Sequence, residues 1–180
     1  MGRPAVFFDR DGVINRAIVV NGKPFAPVKR SEFELIDGVG LSLTRLRKMG
    51  FVNVVITNQP DLSTGKQTAS DLDSTHIWML ETLDLDAIFV CPHLRTDSCY
   101  CRKPKPGLLE QARERFGIDY GRSFLVGDRW SDIEVGQVVG LRANFFIDYG
   151  YFEPKPIGAF ETVKSLHEAT ERIIQMTEKT

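Results

Sequence analysis

Five short apolar runs alternate with stretches of helical periodicity, and this alternation constrains the chain more than any other feature. The runs are residues 5–8, 52–56, 87–90, 124–126 and 143–147, each rich in Val, Ile, Phe or Ala and bounded by polar residues or chain breakers. Between them, Val39, Leu43, Leu46 and Met49 fall on one helical face ahead of Gly50, and Leu108, Leu109, Ala112 and Phe116 form another stripe closed by Gly117. Ser70, Ser131 and Ser165 are expected helix caps, the last two as Ser-x-x-Glu capping boxes. Strands that alternate with helices need crossover connections, so the expected fold class is α/β with a parallel sheet.

At 180 residues the chain suits one domain, 1–180, large enough to bury a core without disulfide staples. Lys and Arg number 23 against 24 Asp and Glu, a balance that disfavours binding nucleic acid through a broad basic field. No apolar run is long enough to span a membrane and no signal peptide is visible, so a cytoplasmic location is expected. Two segments break the alternation: residues 10–37, read as a flap or substrate loop, and residues 91–107, which hold the cysteines and a basic cluster.

Polar residues collect just past the strand-like runs, where a parallel sheet binds its ligands. The first run leads into Asp9-Arg10-Asp11-Gly12, the second into Thr57-Asn58-Gln59 and the fourth into Gly127-Asp128-Arg129, with Asp132 four residues after Asp128. Arg102-Lys103-Pro104 places cations before a helix, where a Lys can meet a phosphoryl group. Taken singly, these patterns equally describe solvated turns, polar loop starts and helix-capping acids.

The order of the four patterns along successive strands resembles the haloacid dehalogenase-like phosphatase superfamily, over nearly the whole chain. The segment Cys91-Pro92-His93…Cys99-Tyr100-Cys101 adds three thiolates and one imidazole, a complete tetrahedral zinc set. A closed ligand set favours a structural zinc over a catalytic one; three unligated cysteines in a flexible loop are the other alternative. With the zinc loop followed by Arg102-Lys103-Pro104, the chain resembles the branch that holds the D-glycero-D-manno-heptose 1,7-bisphosphate 7-phosphatases and the histidinol-phosphate phosphatases.

That resemblance implies a Rossmann-like three-layer sandwich around a five-stranded parallel sheet of order 5-4-1-2-3, with no large cap domain. It implies a Mg²⁺-dependent phosphomonoesterase with an aspartyl-phosphate intermediate, Asp9 as nucleophile and Asp11 as general acid and base. Mg²⁺ would be held by Asp9, the Asp11 main-chain carbonyl and Asp128, with Asp132 behind them. Thr57 and Lys103 would face the phosphoryl oxygens, and Asn58, Gln59 and Arg102 would bind the rest of the substrate. Arg102 suits a second anion, which tilts the expectation toward a heptose bisphosphate over histidinol phosphate or another small sugar phosphate. Two departures stand out: Thr64 where the heptose enzymes carry Arg, and a short five-residue spacer between His93 and Cys99. A monomer is expected, with a phosphorylated sugar as its partner. A zinc-loop module that binds RNA or protein without catalysis is the alternative from another class.

Overall fold

In a computed structural model, which describes residues 2–179, the alternation becomes a parallel sheet covered by helices on both faces. The chain runs β1 (Ala5–Phe8), β2 (Ile18–Val20), β3 (Lys23–Phe25), α1 (Val39–Lys48), β4 (Val52–Asn58), α2 (Ala69–Thr82) and β5 (Ala87–Cys91). It continues with α3 (Gly107–Phe116), β6 (Phe124–Gly127), α4 (Trp130–Val138), β7 (Ala143–Ile147), β8 (Glu161–Val163) and α5 (Leu166–Glu178). The sheet order is β5-β4-β1-β6-β7-β8, parallel throughout.

The sheet therefore has six strands, which corrects the expected five-strand order. The added strand is β8, paired with β7 at the edge through Phe145↔Glu161 to Ile147↔Val163. It is three residues long and carries one fully apolar inward position, Val163, so it offers almost no periodicity to read.

β1 shows why the sheet lies in the middle. All four of its residues are buried, and their side chains alternate between two cores. Val6 and Phe8 join Leu43, Leu46, Met79 and Ile173, under α1, α2 and α5. Ala5 and Phe7 join Leu108, Leu109, Ala112 and Ile133, under α3 and α4. A strand covered on both faces reads as a continuous apolar run.

Helix ends depart from expectation at two of three caps. Ser165 caps α5 as expected, accepting from Glu168 N at 3.2 Å. α2 starts earlier than expected, with Thr68 accepting from Asp71 N. α4 also starts earlier, with Arg129 as its cap residue and Asp132 Oδ2 accepting from Arg129 N at 3.0 Å. Asp132 thus caps the helix with one oxygen and keeps the other for the site.

Segment 10–37 is built around the antiparallel hairpin β2–β3. Its turn is Asn21-Gly22, with φ values of 51° and 74°, the left-handed pair that a tight hairpin needs. The Gly22 carbonyl accepts from Phe152 N at 2.8 Å, which ties the hairpin to the loop after β7. No helix among the described residues is long and apolar enough to cross a membrane.

Candidate active site

β1, β4 and β6 lie side by side in the sheet, so their carboxyl ends deliver Asp9, Thr57 and Asp128 to one place. Asp9, Asp128 and Asp132 are buried, with carboxylate oxygens within 4.8 Å of one another. Lys103 enters from the segment before α3. Its Nζ lies 2.9 Å from Asp9 Oδ1 and 2.7 Å from Asp132 Oδ1, and donates to the Ile56 carbonyl at 2.8 Å. Two glycines make the crowding possible. A Cβ on Gly12, which has φ +92°, would strike the Asp128 carboxylate, and one on Gly127 would strike Asp132.

Of the three buried carboxylates, Lys103 bonds two, Asp9 and Asp132, and not Asp128. Burial, reinforced by Asp132, pushes Asp9 up to about 6. Burial and then the negative charges of Asp9 and Asp132 push Asp128 well above the usual carboxylate range. Both Asp128 oxygens are shielded from solvent without a well-formed hydrogen bond, with the Tyr151 hydroxyl beside them. Carboxyl oxygens with no well-formed donor, packed against a glycine turn beside Asp9, are a donor set that fits a hard divalent cation such as Mg²⁺.

Asp11 stands at the edge of this cluster and lines the open cleft. Its Oδ1 accepts from Arg10 Nη2 at 3.0 Å and from Asn15 Nδ2 at 3.0 Å, and its Oδ2 accepts from Gln59 Nε2 at 2.8 Å. Behind the 9–12 turn, the Tyr149 hydroxyl donates to the Gly12 carbonyl at 3.0 Å.

Thr57 is buried near the end of β4, where its hydroxyl oxygen accepts from Gln59 Nε2 at 2.8 Å. Gln59 is among the expected substrate contacts. It is fully buried, and its amide bridges Asp11 and Thr57 instead of facing the cleft. The reason is its main chain: Gln59 N donates to the Cys91 carbonyl, which keeps the residue in line with the sheet. Asn58 lines the cleft but is also bonded to the main chain of Lys103.

The cleft encloses about 460 Å³. Arg102 lines it, with Nη1 donating to the His93 carbonyl at 2.9 Å. Two cations not singled out in the sequence join it. Lys23 comes from the hairpin, and Arg95 comes from the cysteine loop, where its guanidinium sits 5.5 Å from the centre of the Trp130 ring. Among the described residues, Lys23, Arg95 and Arg102 lack a carboxylate partner, whereas Arg129 is held by Glu153 through Nε at 2.7 Å.

Beside the cleft, Cys91, His93, Cys99 and Cys101 converge. Cys91 Sγ is 3.8 Å from Cys99 Sγ and 3.6 Å from His93 Nδ1, which is 3.2 Å from Cys101 Sγ. A tetrahedron of Zn–S bonds of about 2.3 Å has S···S edges of about 3.8 Å, which the Cys91–Cys99 separation matches, and the four ligand atoms all lie within 4.8 Å of one another. Burial pushes the Cys91 thiol up to about 12, so a metal must displace its proton to bind there.

Arg10 and His76 are missing from the expected site. Arg10 was visible between two acids, but His76 is 66 residues away in α2, and no local pattern joins it to Arg10.

The sequence model of the HAD-hydrolase-like family matches residues 100–168. The D-glycero-beta-D-manno-heptose-1,7-bisphosphate 7-phosphatase of Escherichia coli (strain K12) is 37% identical over 166 residues, covering 86% of this chain and 82% of its own. The corresponding alpha-named enzyme of Photorhabdus laumondii is 33% identical over 162 residues, covering 83% and 85%. The structure of D,D-heptose 1,7-bisphosphate phosphatase from B. bronchiseptica, complexed with magnesium and phosphate, superposes with a TM-score of 0.82 at 24% identity, covering 96% of this chain and 99% of that one. The strand-end carboxylates, the lysine between them and these relatives lead to one assignment: the chain belongs to the haloacid dehalogenase-like phosphatases, in the branch of the heptose-1,7-bisphosphate 7-phosphatases.

Proposed function

We propose that this phosphatase removes the 7-phosphate from a D-glycero-D-manno-heptose 1,7-bisphosphate. The observation that carries the substrate class is the cleft itself. Asp9, Lys103 and Asp132 line it at the strand ends, and Lys23, Arg95 and Arg102 line it without carboxylate partners among the described residues. A second phosphate on the substrate would satisfy those charges, whereas the cationic amine and imidazole of histidinol phosphate would be repelled. The names of the relatives support the same reading.

Asp9 is the nucleophile. Its Oδ1 is fixed by Arg10 N at 2.7 Å and by Lys103, which leaves the other oxygen to attack phosphorus. The Asp9–phosphorus bond forms as the ester P–O bond breaks, and Asp11 gives its proton to the departing alkoxide. Asp11, now a carboxylate, takes a proton from water as that water attacks the aspartyl-phosphate. Inorganic phosphate leaves and Asp9 is restored. Lys103 and Thr57 face the equatorial oxygens, where charge gathers in the transition state. Asp132 holds Lys103 from behind and so keeps its Nζ aimed at the reacting group. Asp9, Asp128 and the Asp11 main-chain carbonyl would hold Mg²⁺, which supplies the positive charge that lets an anion approach an anion.

Cys91, His93, Cys99 and Cys101 would hold a structural Zn²⁺, since four protein ligands leave no open position. The zinc braces the loop that presents Arg95, Arg102 and Lys103.

Phosphate release from both heptose-bisphosphate anomers, histidinol phosphate and simple sugar monophosphates tests the substrate class. The expected result is the highest kcat/KM on one of the two bisphosphates. A preference for histidinol phosphate would overturn it.

A further inference from the structure

Arg10 lies between the two acids of the site, yet its side chain is fully buried and does not line the cleft. Its guanidinium has two sets of partners. One edge holds Asp11, with Nη2 3.0 Å from Oδ1 and Nε 3.2 and 3.3 Å from the two oxygens. The remaining nitrogen, Nη1, lies 3.0 Å from His76 Nε2 on α2. A guanidinium only donates, so Nε2 must carry a lone pair and the His76 proton must sit on Nδ1. Burial, followed by the Arg10 charge, lowers His76 to about 3, which is consistent with a neutral ring.

We propose that His76 is a positioning residue for the acid–base step: by accepting from Arg10 it fixes the guanidinium edge that holds Asp11. This rests on the reading of Asp11 as general acid. A buried donor left without an acceptor is costly, so a guanidinium that loses His76 must turn to find another partner. Asp11 is bonded to the opposite edge and would move with it. Proton transfer requires the acid within hydrogen-bond reach of the leaving oxygen, so a small displacement slows that step. Asp9 and Lys103 do not depend on His76, because main-chain and lysine contacts hold Asp9.

The test compares His76→Leu, which has no acceptor, with His76→Gln, whose Oε1 can replace Nε2. Both are assayed on the alkyl phosphate hydrolysed fastest and on p-nitrophenyl phosphate, whose leaving group departs without a proton. Because kcat/KM reports the phosphorylation of Asp9, only the alkyl ester needs the acid in that parameter. His76→Leu should lose at least about tenfold in kcat/KM on the alkyl ester and less than about threefold on p-nitrophenyl phosphate. His76→Gln should recover to within about threefold of the parent on both. Equal losses on the two esters, a Gln variant as slow as the Leu variant, or no loss on the alkyl ester would each overturn the proposal. Asp9→Asn and Asp11→Asn are run beside them. Turnover surviving in Asp9→Asn, or undiminished alkyl-ester turnover in Asp11→Asn, would overturn the mechanism itself rather than the role of His76.

Discussion

Asn58 grips the main chain of Lys103 from both sides: its Oδ1 accepts from Lys103 N at 3.1 Å and its Nδ2 donates to Lys103 O at 3.3 Å. One side chain at the end of β4 therefore sets where Lys103 leaves the cysteine loop. Asn58→Ala should lower kcat by about tenfold through misplacement of Lys103, with a smaller change in KM. Steady-state phosphate release checks this, and an unchanged kcat would contradict the positioning role.

Lys103 touches Asp9 and Asp132 with all three groups buried. Lys103→Met should remove turnover and destabilise the metal-free protein by about 3 kcal/mol or more, because a buried carboxylate cluster loses its cation. Urea unfolding in the presence of a chelator measures it. Added Mg²⁺ should restore part of the lost stability and none of the turnover.

The loop of Cys91, His93, Cys99 and Cys101 gives a separable prediction. His93→Ala, or removal of zinc by a chelator, should lower Tm by several degrees and expose residues 91–107 to protease, since metal bound only by the folded state adds to stability. Differential scanning calorimetry with zinc analysis decides it. An unchanged Tm in protein shown to be zinc-free would exclude a structural metal.

The cations of the cleft should discriminate between substrates. Arg102→Ala and Lys23→Ala are each expected to raise KM for the bisphosphate by about tenfold and to leave KM for a sugar monophosphate within about twofold. Equal effects on both substrates would place these residues at the reacting phosphate instead.

His76 also predicts a pH dependence of stability. Its native value near 3 lies below the ordinary 6.5, so the unfolded chain binds the proton first. The contribution is fully present above about pH 6.5 and is lost as pH falls toward 3, by up to about 1.4 kcal/mol per pH unit. His76→Gln should unfold less steeply with acid between pH 6 and 4. Parallel urea midpoints for parent and variant over that range would refute it.

Much of this was legible from local pattern. β1 and β6 are unbroken apolar runs because strands buried on both faces have no polar side to interrupt them, while β4 and β7 keep that character with one buried Asn each and β5 is a partly buried edge. The acids past β1 and β6, the lysine before α3 and the cysteine set are each confined to a short segment, and their order along the chain carried the family resemblance that pointed to them. β8 was not legible, since three residues at a sheet edge have little burial to encode. The cap of α4 was misplaced because Asp132 serves both the helix and Lys103, a double use that follows from close approach in space.

The sequence by itself determined the alternating architecture, the chemical inventory of the site and its family, since strand and helix periodicity and motif spacing are properties of neighbours along the chain. Only the tertiary structure decided which side chains line the cleft and which lie behind it. It turned Gln59 inward, brought Lys23 and Arg95 beside Arg102, and set His76 against Arg10. Those relationships arise between elements distant in sequence, where packing of helices and loops across the sheet, and no local propensity, selects the partner.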